Sequence, residues 1–483
     1  MEPFLDRRRR FMTGLGDGIA VVPAATETVR NHDVTHPFRQ DSDFFYLTGF
    51  TEPDSIALLD PQHDHEQYVL FVRPRDPDQE AWTGRRAGVE GAIERYGADA
   101  AYPLSELENQ LRSRVRGRSA LYYSTNGSKR DATIQRILAT AAAYGARTGL
   151  ATPSRVIDPS PLLGDLRLVK SAAEADALRE ACRISAEGHA EAMRFTVPGM
   201  VEREVQAAME FVFRSLGSER DGYPAIVASG PNAVILHYVD NDRRMADSEL
   251  LLIDAGAEYA YLSADITRTF PVGGTYTAPQ RDIYNLVLAA QQDVFAVCRP
   301  GTPFAALHDT AVRTVSKGLV ELDLLPGPVD DAVRYGWYRE FFFHGTGHWL
   351  GMDVHDAGAY GIDGAPRPIE AGMAFTVEPG VYVAPDKAMM TLYALEYDET
   401  AAREAAYLKG AAVAKKELAE RRASASSVEH EVPAVYRGIG VRIEDDVLVS
   451  SDGYEVLSAA VPSDPDAVEA MCAEPNRIPR LGS

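Results

Sequence analysis

The sequence is short of cysteine: three in 483 residues, Cys182, Cys298 and Cys472, odd in number and widely spaced. That excludes a disulfide framework, suits a reducing compartment and leaves none of the three as a candidate nucleophile. Positive charge is also scarce. Lys and Arg number 49 against 71 Asp and Glu, a formal charge of −22, which disfavours nucleic acid or an anionic membrane surface as partner. The one basic cluster, Arg7 to Arg10, lies between Asp6 and Phe11 and reads as a solvated helix face. No run of 18 uninterrupted apolar residues occurs and no signal-peptide-like hydrophobic region follows those arginines. Neither a membrane span nor a signal peptide is expected, and the cytoplasm is the default compartment.

What is present is an ordinary globular composition, 45% hydrophobic over a length sufficient for two well-buried domains, with no internal repeat. Residues 1–155 alternate short β-rich runs (IAVVPAA, SIALLD, QYVLFVR, ALYYS) with helical patterns such as Asp131 to Tyr144, which predicts a small α/β domain. The Pro-, Ser- and Asp-rich stretch from Thr152 to Pro161 reads as linker, and a linker is expected over 156–172. Ser171 and Glu174 then form a capping-box signature at the head of an amphipathic helix, with His189 expected on its surface. That helix opens a second, larger domain, expected over 173–460. The tail, 461–483, is expected to be loosely ordered.

Five residues in separate Gly- and apolar-rich blocks carry the chemistry: Asp254 in LLIDAG, Asp265 in SADITRTF, His348 in HGTGHWLG, Glu378 in FTVEPG and Glu444 in GVRIEDD. Four carboxylates and one imidazole suit a shell for two divalent metal ions. ELLLIDAG and SADITRTFPV both read as strands joined by a tight turn near Glu258 to Tyr261. A turn centred between Tyr259 and Ala260 would set Asp254 directly opposite Asp265, with Cβ atoms about 4.5–5.5 Å apart, where two like charges destabilise a hairpin. A cation between them reverses that sign; two solvated aspartates beside a turn are the alternative. Glu378 and Glu444 sit in strand-like apolar runs, where an unpaired carboxylate is costly to bury. Arg442, two residues before Glu444, shares its strand face and either orients a ligand carboxylate or is a plain salt-bridge partner.

The block FFFHGTGHWLGMDVHD holds His344, His348 and His355. Its i, i+4 histidine pair is not a HExxH zincin motif, because Gly345 follows His344 and two glycines inside the pair oppose a helix. A glycine-rich loop delivering one ligand and two other imidazoles fits better. His237, in AVILHYVDN, is a further candidate, its alternative being a packed or surface histidine.

The blocks LIDAGAEYAYLSADITRTFPV, HGTGHWLGMDVHD, TVEPGVYVAP and YRGIGVRIEDDVLV, in this order and spacing, closely resemble the pita-bread metallopeptidases, and among them the aminopeptidase P (Xaa-Pro aminopeptidase) family. HPFRQDSDFFYLTGF near the N-terminus resembles that family too, so the likeness spans nearly the whole chain. The resemblance implies an α/β (α+β) fold: a small N-terminal α/β domain that helps oligomerisation and rims the cleft, then a C-terminal pita-bread catalytic domain. It implies metal ligation by Asp254, Asp265, His348, Glu378 and Glu444, with Asp265 and Glu444 bridging two ions, and oxygen-rich ligation favours Mn²⁺. Two such metals lower the pKa of the water between them and polarise the scissile carbonyl. Glu378 would accept the water's proton and pass it to the leaving nitrogen. His237, His344, His355 and Arg442 match the family's catalytic positions, and Tyr382, Trp82 and Arg147 match substrate-binding ones; a strand aromatic is the alternative for Tyr382 and a packed core aromatic for Trp82.

The expected function is release of an N-terminal residue from peptides with proline at the second position, by a homotetramer or else a dimer. Prolidase activity on Xaa-Pro dipeptides, a non-catalytic peptide-binding protein and a metal-free creatinase-like hydrolase are the rivals. One segment departs from the family: where a short loop is usual, residues 387–430 carry an Ala-, Glu-, Lys- and Arg-rich insertion, expected to form an exposed helical arm.

Overall fold

The apolar runs of the N-terminal third become a six-stranded sheet. The computed structural model describes residues 2–127 and 129–480, with Lys129 described by its backbone alone. The sheet order is Ala100–Pro103, Tyr68–Val72, Ile56–Leu59, Ile19–Pro23, Ala120–Tyr122 and Arg155–Ile157. Ile56–Leu59 runs antiparallel to both neighbours and the remaining pairings are parallel. Tyr68–Val72 is buried at all five positions, as expected of a strand covered on both faces. Lys129–Thr148 is the helix expected around Asp131 to Tyr144, and the Asp131 carboxylate accepts from Tyr123 Oη at 2.7 Å.

The stretch expected as linker, 156–172, is structured instead. Arg155–Ile157 is the last strand of the N-terminal sheet, and Ser160–Leu168 is a helix. The polar composition that suggested a linker belongs to an edge strand and a helix start. The chain divides into two compact units close to Arg167.

In the second unit the capping box at Ser171 is formed, with Glu174 Oε2 accepting from the Ser171 amide at 2.9 Å. The helix it starts, Ala172–Phe195, is joined by Glu202–Ser215, Ala278–Val297 and Phe304–Glu321. Against them lie antiparallel strands: Ile226–Ser229, Leu250–Asp254 and Thr267–Pro271 in one sheet, Ala374–Val377, Asp445–Val449 and Tyr454–Val456 in another, and Gly380–Tyr382 paired with Gly440–Arg442. One bridge, Thr267 to Glu444, ties the first set to the others.

His189 is not on the helix surface. It is 1% exposed and its Nε2 donates to the Ala255 carbonyl at 2.9 Å, so the helix is buried on more sides than its amphipathic pattern suggested. The tail is likewise ordered through residue 480. Pro465–Cys472 is helical, Val461 and Val468 are buried, and Glu474 and the Arg477 amide engage Arg194 and Glu191 of the long helix. The PSDPD sequence that suggested looseness supplies Asp464, which caps that helix by accepting from two amides at 3.0 Å.

The insertion is a β-hairpin, Met389–Tyr393 with Ser427–Glu431, crowned by the helices Glu399–Lys409 and Ala411–Ser424. Neither helix buries a residue, and Gly410 turns between them at φ 86°. Among the described residues no helix is long and apolar enough to cross a membrane.

Candidate metal centre and active site

The hairpin carrying the two aspartates turns one residue later than expected. Ala260 and Tyr261, at φ 50° and 68°, are its central pair, as a two-residue turn between twisted strands requires. Asp254 therefore pairs with Thr267, not Asp265, and Asp265 lies diagonally across on the same face. The strands narrow here, because a Cβ on Gly256 would fall 1.7 Å from the Ala264 carbonyl oxygen. The two carboxylates meet on one phenol: Tyr223 Oη is 2.5 Å from Asp254 Oδ1 and 2.5 Å from Asp265 Oδ1.

The other carboxylate ligand candidates also stand at strand ends. Glu378 follows Ala374–Val377, and Glu444 lies between Gly440–Arg442 and Asp445–Val449. Such interruptions free a side chain from ladder geometry and turn it into the space between ribbons. His344 to His348 is not helical. His348 lies along the ribbon instead, its carbonyl accepting from the Thr376 amide at 3.0 Å, and Gly347 is pressed so close that a Cβ would sit 1.9 Å from the Thr376 oxygen. Asp265, His348 and Glu444 each present a ligand atom within 4.8 Å of the others.

Two observations show that this donor set fits a cation. His348 Nδ1 lies 3.0 Å from the Trp349 carbonyl, which can only accept, so Nδ1 carries a proton and, in the neutral ring that can bind a cation, Nε2 presents a lone pair. That lone pair faces Asp265 Oδ2 at 3.3 Å and Glu378 Oε1 at 3.8 Å. Likewise the single Tyr223 hydrogen can serve one of its two carboxylates only. Acceptors face acceptors in both places, an arrangement that needs protons or metal between them.

The electrostatics agree. Burial, with Asp265 adding repulsion against the pull of Arg442, raises Asp254 to about 6. Burial lifts Glu378 to about 7 although His348 and Arg442 oppose it. Glu444 is raised well above the carboxylate range by burial and then by Asp265, Glu378 and Asp254. Burial works against a charged His348, but its contacts with Asp265 and Glu378 prevail and push it up to about 9. Arg442 reaches Asp254 more closely than Glu444: the guanidinium bonds to Asp254, to Thr267 Oγ1 at 3.1 Å and to Tyr382 Oη at 3.1 Å, and stands 4.0 Å from Glu444.

The five acidic and histidine ligand candidates line one cavity of about 300 Å³ with His237, His344, His355 and Arg442. His355 packs on His348, ring centres 4.2 Å apart. His344 Nδ1 donates to the Gly345 carbonyl at 2.7 Å, so its Nε2 accepts from Tyr382 Oη at 2.9 Å; burial, then Arg442, holds its pKa down to about 3. Trp82 and Arg147 are not in this cavity wall. Trp82 is 89% exposed on the helix Pro77–Thr83, so it is not a packed core aromatic, and Arg147 is exposed near the end of Lys129–Thr148.

Several members of the site carry no sequence signal. Tyr223, Thr267 and Asp446 are ordinary residues in strand or loop context. Yet Thr267 Oγ1 donates to Glu444 Oε2 at 2.6 Å, and Asp446 Oδ2 accepts from the Asp265 amide at 2.9 Å. Cys182, remote in sequence, donates to that Asp446 oxygen at 3.1 Å and so stands behind Asp265; burial pushes its thiol up. Only the alternation of the IEDD run hinted that Asp446 turns away from its neighbour Asp445.

Residues 176–451 match the profile of metallopeptidase family M24, and residues 4–122 match that of the aminopeptidase P N-terminal domain. The chain belongs to metallopeptidase family M24. Among its M24 relatives, the Xaa-Pro aminopeptidase of Escherichia coli K12 is 38% identical over 472 residues, covering 97% of each chain. The structure of a Pseudomonas aeruginosa aminopeptidase superposes with a TM-score of 0.86 at 40% identity over 98% of each chain. A zinc-substituted E. coli aminopeptidase P in complex with product gives 0.84 at 37% identity, again over 98% of each. The fold expected from the sequence, a small α/β domain followed by a pita-bread domain, is the one this M24 chain has.

Proposed function

We propose that this chain is a metal-dependent Xaa-Pro aminopeptidase, a hydrolase that removes the first residue from peptides whose second residue is proline. The observation that carries the reading is the buried ring of Asp254, Asp265, His348, Glu378 and Glu444, with the His348 lone pair turned towards carboxylates, in a chain similar throughout its length to Xaa-Pro aminopeptidases. These five residues would hold two divalent ions, and the ions would supply a Lewis acid for the scissile carbonyl and a water of lowered pKa. Oxygen-dominated ligation makes Mn²⁺ our choice.

Glu378 accepts the proton of the attacking water and delivers it to the departing nitrogen. Proline makes that delivery necessary, because its tertiary amide nitrogen has no hydrogen of its own. His237 and His355, exposed in the cavity wall, face the developing oxyanion and stabilise it. His344, with both ring nitrogens engaged, lines the side beyond the cleaved bond, and the buried Tyr382, outside the cavity wall itself, holds its ring by donating to Nε2. Arg442 orients Asp254. The exposed Trp82 and Arg147 suit contact with a neighbouring copy, so a homotetramer, or a dimer, is part of the reading, as is a cytoplasmic location.

The test is cleavage by protein stripped and reloaded with Mn²⁺, comparing a Xaa-Pro dipeptide with a longer Xaa-Pro-Yaa peptide. Release of the first residue from the longer peptide supports the proposal. Cleavage of the dipeptide alone would make the chain a prolidase, and no cleavage with any divalent metal would leave a binding protein.

A further inference from the structure

Glu378 is held by its backbone as well as by its side-chain surroundings. Its amide donates to the Thr346 carbonyl at 2.8 Å, immediately after the strand Ala374–Val377 has ended. Thr346 therefore fixes where the carboxylate begins. It is the central residue of the Gly345 to Gly347 segment, whose flanking glycines line the active-site cavity, but Thr346 itself lines a second cavity of about 470 Å³ that shares those two glycines.

There the buried Thr346 hydroxyl meets His308, Oγ1 to Nδ1 at 2.8 Å. His308 lies in the second turn of Phe304–Glu321, a helix that otherwise buries Leu307, Ala311, Val312 and Val315. Helix packing alone asks for no imidazole at this point. The ring rests beside Phe342, centres 5.6 Å apart, and its far nitrogen stands 4.0 Å from Glu399, the first residue of the arm helix Glu399–Lys409. Glu399 is in turn held by Arg403 at 2.6 Å and Arg339 at 3.6 Å. A carboxylate beyond Nε2 favours a proton on that nitrogen, which leaves Nδ1 to accept from the Thr346 hydroxyl.

We propose that His308 is a positioning residue for Glu378, acting through Thr346, and that Glu399 of the inserted arm sets the orientation of the His308 ring. The inference rests on the proton-transfer role of Glu378 proposed above. It gives the arm a functional connection to the catalytic loop through side chains that touch neither metal ligand nor substrate.

The test uses the full chain loaded with Mn²⁺ and measures kcat, KM, metal content and Tm on a Xaa-Pro-Yaa peptide. Thr346→Val and His308→Ala are expected to lower kcat about tenfold, the equivalent of one lost hydrogen bond, with KM and metal content unchanged. Thr346→Ser and His308→Asn, which keep a hydroxyl and a short hydrogen-bonding group, are expected to recover most of the loss. Wild-type kcat in the first pair, or equal losses in the second, would overturn the proposal. Glu378→Gln separates the two readings: full activity there refutes the role of Glu378, whereas an inactive Glu378→Gln beside fully active Thr346→Val refutes only the positioning. Where a core variant does not fold, Glu399→Ala serves; a kcat lowered about threefold supports the proposal and unchanged kcat overturns it.

Discussion

At the scale of single residues, position is decided by what each polar atom faces. Asp265 and Glu444 each present an oxygen within 4.8 Å of the other and of His348 and would be metal ligands on the proposed function, so Asp265→Ala or Glu444→Ala is expected to remove bound metal and activity together. His355→Ala, which removes a ring packed on a ligand, is expected to lower turnover with metal content near normal; metal analysis beside kinetics checks both, and an active ligand variant would refute the assignment. His189 offers a test of pH dependence away from catalysis. Burial holds its pKa down to about 4, below that of an unfolded-chain histidine, so the unfolded state binds the proton more readily. Its contribution is complete above about pH 6.5 and is lost as pH falls towards 4, on the order of 3 kcal/mol in all. His189→Leu should therefore flatten the fall in urea stability between pH 7 and pH 5 in chelator-treated protein; an unchanged slope would sink this account. That Asp254, Asp265, Glu378 and Glu444 belong to one cavity with His348 was legible because carboxylates in apolar blocks are costly and therefore conspicuous. Tyr223, Thr267, Thr346 and His308 were not, because a hydroxyl or imidazole acquires its role only from what the fold brings beside it.

At the scale of elements, strand pairs and the capped helix could be read from pattern, since period and capping chemistry are local. The turn at Ala260 and Tyr261 was misplaced by one residue because neither has the usual preference for positive φ, and that shift changed which residue opposes Asp254. The tail was misread for another reason: its order comes from partners far away in sequence. Arg268, buried, donates to Asp445 at 2.6 Å and to the carbonyls of Val461 and Pro462 at 2.9 and 3.0 Å. Arg268→Ala leaves Asp445 buried without its cation and is expected to cost about 3–5 kcal/mol in denaturant unfolding. The arm is the opposite case, with no buried residue in either helix. Replacing residues 395–425 by a short Gly/Ser linker is expected to change unfolding free energy by less than about 1 kcal/mol; a larger loss would show that the arm belongs to the fold.

At the scale of the whole molecule, a ligand that binds only the folded chain adds RT ln(1 + [L]/Kd) to its stability, about 2.7 kcal/mol at one hundred times Kd. Chelation should therefore lower Tm and Mn²⁺ should restore it; a Tm indifferent to both would argue against the metal centre. Light scattering at micromolar concentration checks assembly, and a monomer there would refute both tetramer and dimer. The close contacts of Gly256 with Ala264 and of Gly347 with Thr376 bear on the order of events during folding. Each lets backbone lie directly on backbone, so the shell drawn from Asp254 through Glu444 exists only after hairpin, loop and ribbon have all docked. Closing loops of that length comes late, after local elements have formed. An intermediate with any one segment adrift lacks the proposed cation site, so metal uptake is expected to mark the last step of folding rather than to nucleate the first.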